Sequence, residues 1–442
     1  MFRRFLEDRN GSVMPLLAIA AIPLVGLIGA SVDYSRAAAI QTTLQAAADS
    51  TSLAMAQNAA SLTAAQLQTQ GQAYFNALFA NTGAATPAVT VTYTSSGTSQ
   101  VVVSATSSVN TMFMGIMGFS HLPISASSTA VWGNTRLRVA LVLDNTGSMS
   151  QGGSGTPSSP TKIQALQTAA HNMLNQLQSA AQNDGDVYVS IVPFAKDVNV
   201  DPSNYNESWV DFTAWEAANG RCSNTKYTSQ SSCTANKATW TPAATSTWNG
   251  CVTDRNQNYD TNNTAPTSGA LFPAEQYNAC PVAMMPLSYD WTNLGKKIDA
   301  MTPNGGTNQA IGLVWGWQSL TPTSPLNAPS EDPNYTYQHI VVILSDGLNT
   351  QDRWYGNGSN WSSQVDARQK ITCDNMKSAG ITIYAVQVDT DNEATSSVLQ
   401  YCAGNQAGIG DKSKFFLLTT PTQIVTTFNT IATGLTRLRI AN

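Results

Sequence analysis

One short run in this chain has residue types that can do chemistry together: Asp144-Asn145-Thr146-Gly147-Ser148. A carboxylate and two hydroxyls stand at alternate positions. The run follows Leu137–Leu143, a stretch apolar at every position but Arg138, of the kind expected of a strand buried on both faces. Open α/β sheets bind ligands at the carboxyl ends of their strands. In such a strand-to-helix turn, alternate side chains aim at one point above the sheet edge. That point would meet hard oxygen donors, which suit Mg2+, Mn2+ or Ca2+. Taken alone, an Asp-x-Thr-x-Ser run is more often a polar turn or a helix cap.

The run resembles the metal-ion-dependent adhesion site of von Willebrand factor A domains, whose first loop reads Asp-x-Ser/Thr-x-Ser. Two further fragments stand in the order that site requires. Gly305-Gly306-Thr307-Asn308 looks like its second loop, and Ser345-Asp346-Gly347, after the apolar run His339–Leu344, looks like its third. The resemblance implies that Ser148, Thr146 and Thr307 ligate a divalent cation directly or through water, with Asp144 and Asp346 often acting through water. It also implies an open coordination position, filled in the family by an acidic residue of a partner protein. The expected chemistry is therefore recognition, with neither turnover nor a small-molecule substrate. A metal-dependent hydrolase is the competing reading, and it needs a general base aimed at a metal-bound water. No nucleophile–base pair stands out: His171 lies within a helical stretch and His339 opens a strand. Asp197, Asp201 and Asp211 are candidates for a second cation, although solvated loop acids are the plainer reading.

Composition narrows the classes. Charged residues make up 11% of the 442-residue chain, against about 25% in a typical soluble domain. The deficit is filled by Ala, Ser, Thr, Asn and Gln, a pattern common in exported bacterial proteins. Net charge is −5 and no basic run is present, which argues against nucleic acid as a partner. The six cysteines are Cys222, Cys233, Cys251, Cys280, Cys373 and Cys402. Zinc would call for close pairs such as Cys-x-x-Cys, and none exists, so disulfides in an oxidising compartment are expected. The expected grouping keeps the first four among themselves and joins Cys373 to Cys402.

The elements around the site follow from hydrophobic periodicity. Residues 13–32 are uncharged and about as long as a bilayer is thick, and so read as a transmembrane helix. Arg3, Arg4 and Arg9 precede it and few basic residues follow, which places residues 1–12 in the cytoplasm and the bulk outside. A cleavable signal peptide is the alternative, but its apolar core is normally shorter. Pro15 and Pro23 would kink the span without abolishing it. Residues 33–133 read as a membrane-proximal region: a helix to about residue 80, with Ile40, Leu44, Ala47 and Leu53 on one face, then a small β region. Residues 134–442 alternate strands and helices, so the expected fold class is α/β, von Willebrand factor A-like, with a mostly parallel sheet covered on both faces. An insertion at about 197–289, rich in Asn, Thr, Ser and Trp, interrupts this rhythm. It reads as a disulfide-braced addition in which Trp209, Trp215, Trp240 and Trp248 form a small core of their own or grip a partner.

The N-terminus carries a second resemblance. Arg9-Asn10-Gly11-Ser12-Val13, the apolar span, and then Val32-Asp33-Tyr34-Ser35-Arg36 look like the start of TadE/TadG-type Flp pilus-assembly proteins. Joined to a von Willebrand A-like domain, this is the TadG arrangement. It implies a protein single-pass in the bacterial inner membrane, mostly periplasmic or surface-exposed, that holds a pilus or outer-membrane component through its metal. A membrane-anchored scaffold or sensor of the envelope, unrelated to pili, is the alternative.

Overall fold

The computed structural model describes residues 13–59, 62–94, 99–132, 135–152, 160–181, 183–333, 335–388, 394–404 and 413–440. The expectations for residues 1–12 and for a boundary at residues 133–134 fall outside these. The chain forms two compact units, residues 1–134 and 135–441.

The first unit is built on one long helix, α1 (Val13–Ala56), which runs through Pro23. Its buried positions Ala37, Ile40, Leu44, Ala47, Ala48 and Met55 recur every three or four residues and cover a sheet. Leu53, expected on this stripe, is 65% exposed, and Thr51 and Ser52 take its place on the inner face. The helix does not reach residue 80. It ends at Ala56, and a second helix, α2 (Ala64–Phe79), starts from a capping box in which Thr63 and Gln66 bond reciprocally. That pairing satisfies donors a continuous helix would not have exposed, and it marks a new helix start. The strands β1 (Ala88–Thr94), β2 (Ser99–Asn110) and β3 (His121–Trp132) pair antiparallel in sequence order. Alternation along β1 and β2 turns Val89, Val91, Val101 and Val103 inward onto Leu44, Leu67 and Phe75.

The second unit is a doubly wound α/β sheet. Five parallel strands form its body: β4 (Thr135–Asp144), β5 (Val187–Phe194), and the later strands β9 (Thr336–Ser345), β10 (Thr382–Val388) and β11 (Phe415–Leu418). Between these in the chain lie α3 (Lys162–Ala180), the short strands β6 (Val198–Asn199), β7 (Cys251–Val252) and β8 (Met285–Ser288), and the helices α4 (Trp291–Asp299) and α5 (Gln309–Ser319). Three later helices pack on it: α6 (Ser363–Ser378), α7 (Ser397–Ala403) and α8 (Pro421–Ile440). Spatial order runs β7-β6-β5-β4-β9-β10-β11, with β8 also paired to β5; β6, β7 and β8 are antiparallel edge strands. Helices α3, α4 and α8 cover one face over Leu137, Val139 and Leu141. Helices α5, α6 and α7 cover the other over Ala140 and Val142. Central strands buried on both faces carry apolar residues at successive positions, which is why Val139–Leu143 of β4 reads as a run rather than an alternation.

Segment 197–289 is not a separate core. Trp209, Trp215 and Trp248 are buried and join the α5 side of the sheet, where Phe272 stacks 4.4 Å from Trp315 of α5. Trp240 is only half-buried, and its indole N–H donates to Glu216 O at 3.0 Å. The segment supplies edge strands β6, β7 and β8, so it is woven into the sheet rather than appended to it. Disulfides join Cys222 to Cys233, Cys251 to Cys280, and Cys373 to Cys402.

Helix α5 approaches the sheet through Gly312. A Cβ there would meet the Phe194 ring at 2.8 Å and a Val142 methyl at 2.9 Å. Gly312→Val is therefore expected to cost about 1–3 kcal/mol by overpacking, read as a lower urea midpoint. Thiol titration of the denatured, unreduced protein is expected to find almost no reactive cysteine.

Candidate metal centre

Asp144 is the last residue of β4, the strand between β5 and β9. Its side chain has no exposed surface. A carboxylate cannot stay there without donors. One oxygen accepts from the Thr146 N–H at 2.8 Å and the Thr146 hydroxyl at 2.6 Å. The other accepts from the Ser345 hydroxyl at 2.6 Å. The chain of contacts goes on outward: Thr146 Oγ1 lies 3.1 Å from Ser148 Oγ, and Ser148 donates to Asp346 at 2.7 Å. The far oxygen of Asp346 accepts from the Lys162 ammonium at 2.9 Å, and both side chains are buried.

Backbone bonds lock the three loops together. Asn145 N–H donates to Phe194 O at 2.8 Å, so the first loop is clamped to the end of β5. Gly147 N–H donates to Gly305 O at 3.1 Å, and Asn304 N–H to Asn145 O at 2.8 Å, which joins the first loop to the second. The second loop is bonded to the segment after the third: Thr350 N–H donates to Thr307 O at 2.9 Å, and Thr307 N–H to the Thr350 hydroxyl at 2.8 Å. Behind them sits a buried amide ladder. Gln309 donates to Ser345 Oγ and Gly347 O, Gln369 donates to Gln309, and Asn349 accepts from Gln309 N–H and donates to Asp366.

The loops enclose a cavity of about 250 Å³ lined by Ser148, Lys162, Thr307, Asp346 and Trp361, among others. Of the five expected ligands, Ser148, Thr307 and Asp346 face this cavity, while Asp144 and Thr146 stand behind Ser148 in its hydrogen-bonded chain. Burial pushes the Asp144 carboxyl up to about 7; the nearby Asp346 charge adds to this, and the Ser345 and Thr146 bonds oppose it. Two carboxylates linked through the Thr146 and Ser148 hydroxyls, with a single ammonium against them, leave a surplus negative charge when both ionise. The donors are carboxylate and hydroxyl oxygens. On both counts these residues fit a hard divalent cation.

Other expected residues do not join this site. His171 pairs with Asp299 at 2.7 Å and His339 with Glu331 at 2.6 Å. Asp201 and Asp211 accept from the N–H groups of Ser203 and Thr213, as turn residues do. Asp197 is not a solvated loop acid: it is fully buried 3.4 Å from Lys196, and burial pushes its carboxyl up to about 8. Asp254, within the insertion, is also buried; it accepts from the Asn308 amide at 2.9 Å, and burial pushes it up to about 7.

Sequence reasoning missed two participants. Ser345 precedes the expected acid and holds Asp144 from the neighbouring strand. Lys162 opens α3, where an ammonium opposes the helix dipole; that unfavourable placement was the available signal that an acid must hold it.

The sheet order, the covered faces and the three loops at one sheet edge define a von Willebrand factor A-like α/β domain. In the N-terminal part of the chain, residues 11–66 match the model of the putative Flp pilus-assembly TadE/G-like family. No curated protein matches the chain. Among solved structures, the chain is similar to the pilus adhesin SpaC of Lactobacillus rhamnosus GG, with TM-score 0.36 and 12% identity over 80% of this chain and 34% of that one. It is also similar to the vWF domain of the type V pili tip protein Mfa5 of Porphyromonas gingivalis, with TM-score 0.36 and 11% identity over 68% and 95%. The SpRpn10 VWA domain aligns with TM-score 0.32 and 9% identity over 66% and 94%. The chain thus spans about a third of the length of SpaC. At such scores the fold assignment rests on sheet order and loop placement.

A pH dependence follows from the buried acids. Burial raises the folded-state values of Asp144, Asp197 and Asp254 to about 7, 8 and 7, above the ordinary carboxylate range near 4. The native state therefore holds more protons than the unfolded state between about pH 4 and 8, and stability falls as pH rises through that window. Metal-free protein is expected to lose stability from pH 5 to 8 in urea titrations. Asp144→Asn, which needs no proton to stay neutral, is expected to flatten that slope.

Proposed function

We propose that this chain is a membrane-anchored component of a Flp pilus assembly system that binds a protein partner through a divalent cation. The observation that carries the proposal is the convergence of three separate loops on one cavity, with Ser148, Thr307 and Asp346 at its wall and Asp144 and Thr146 behind. A bound Mg2+, Mn2+ or Ca2+ would supply an electrophile for a carboxylate oxygen of the partner. Ser148 and Thr307 would hold it with neutral oxygens, which leaves its charge available, and Asp144 and Asp346 would supply the balancing negative charge.

Anchoring is supported by α1. Among the described residues one helix is long and apolar enough to cross a membrane, and its exposed side chains include Leu17, Ile19, Leu24, Leu27 and Ile28. The pilus context is supported by the TadE/G-like match at residues 11–66. On this reading the protein is single-pass in the bacterial inner membrane, with residues 1–12 in the cytoplasm and the A-like domain in the periplasm or at the surface.

The test is a crosslinking pull-down from native cells with wild type and Asp144→Asn, each with Mn2+ or with EDTA. The expected result is recovery of pilus-assembly proteins by wild type in Mn2+ and their loss in EDTA or with the variant, while circular dichroism finds the variant folded. Recovery of other envelope proteins with the same metal dependence would favour the scaffold reading. Partners indifferent to EDTA and to the variant would sink the metal mechanism. Metal affinity by calorimetry is expected to rise from pH 5 to 7.5, because Asp144 must lose its proton to balance the cation.

A further inference from the structure

The β2–β3 connection of the first unit has a composition that water does not favour. From Thr111 to Ser120 it reads TMFMGIMGFS, without one charged residue. Its side chains are not hidden: Ile116 is 88% exposed, Met112 67% and Phe119 59%, and Phe113 and Met117 are also exposed. A cluster of five large apolar side chains on one short loop is more than scattered surface hydrophobicity.

The loop lies against α1 inside the apolar span. A side chain at Gly29 would collide with Phe113, and one at Gly26 would touch Met117 at 3.4 Å. Gly26 precedes Val32 by six residues, about 9 Å along a helix axis. The loop therefore flanks the last two turns of the span, beside Leu24, Leu27 and Ile28, which are themselves exposed.

Most backbone N–H groups of the loop have an acceptor within the unit. Asp33, buried at the end of the span, accepts from the N–H groups of Met112 at 2.9 Å and of Phe113 and Met114 at 2.8 Å. A short helical turn (Met114–Met117) follows, and within and after it Ile116 donates to Phe113 O, Gly118 to Gly115 O, and Phe119 to Met114 O. Thr111 donates its N–H to Ser120 O and its hydroxyl to Phe119 O. Where water is scarce a backbone donor must find its acceptor inside the protein, and most N–H groups of this loop do so.

We propose that the loop Met112–Phe119 is a second membrane-contacting element, seated in the outer part of the lipid leaflet beside α1. The proposal rests on α1 being a membrane anchor; lipid is the chosen occupant because the patch is continuous with the exposed apolar surface of that helix. In this role the loop fixes the depth and tilt of the first unit, and Asp33 holds it there.

The test uses the full chain in phosphatidylethanolamine–phosphatidylglycerol vesicles. The described cysteines are all disulfide-bonded, so a single Ile116→Cys can carry an environment-sensitive fluorophore, with Phe119→Cys as a second loop site and Leu24→Cys as the span reference. The expected result is blue-shifted emission at both loop sites, quenched several-fold more by spin-labelled lipid than by aqueous iodide, as at Leu24. Emission at Leu24 in lipid but at Ile116 and Phe119 in water would overturn the loop proposal and leave the anchor standing. Blue-shifted loop emission that lipid spin labels do not quench would also overturn it, and would mean that protein covers the loop. Leu24 in water would remove the anchor and the loop proposal together.

Discussion

A carboxylate with no exposed surface, at the end of the central strand, is the constraint on which the second unit is organised. Asp144 has neighbours on both sides because β4 is paired on both edges, so its oxygens depend on donors from the protein. An unsatisfied carboxylate there would cost several kcal/mol. Those donors are Thr146 in its own turn and Ser345 at the end of β9. The register of β4 on β9 pairs Leu143 with Leu344, and this brings Ser345 level with Asp144. A slip of one residue would remove that hydroxyl and turn the whole strand over. Site geometry and strand register are thus one requirement.

Much of this was legible in the sequence, because the signals were local. The apolar run before Asp144 meant a central strand, and the alternation of Asp, Thr and Ser meant a turn with converging oxygens. The run before Asp346 gave the partner strand in the same way. Thr307 was harder, since it sits on a loop rather than after a strand; its place is set by bonds to Thr350, which lies 43 positions away. Lys162 was not legible as a participant, because only folding sets its ammonium against Asp346. The break after Ala56 was missed because an Ala-rich stretch has no strong stop signal, although the Thr63–Gln66 pair was there to be read.

The insertion shows the limit of reading segments one at a time. Its polar composition and four cysteines suggest a self-contained appendage. Its tryptophans instead fill the α5 face of the sheet, where Trp209 and Phe272 lie against Trp315. Contacts between distant segments of this kind leave no periodicity in either one. The consequence reaches the site: Asn308, next to Thr307, bonds to Asp254 of the insertion, and Arg353, after the third loop, bonds to the same residue. The insertion therefore braces two of the three loops from behind and leaves the cavity side open.

Charge at the cavity gives the proposed recognition its sign. With both carboxylates ionised, Asp144 and Asp346 contribute two negative charges and Lys162 one positive. A divalent cation added to this set would turn a net −1 into a net +1. A metal site of two acids and neutral hydroxyls alone would end neutral. On the proposed reading the lysine would bias a loaded site toward an anionic partner group, and a partly enclosed cavity weakens such an attraction less than open water does. Its position at the start of α3 strengthens the effect, because the helix dipole places further positive potential at the same point. The same two features make Lys162 costly to hold without Asp346, so the acid that balances the metal on the proposed reading is also the one that keeps the ammonium buried.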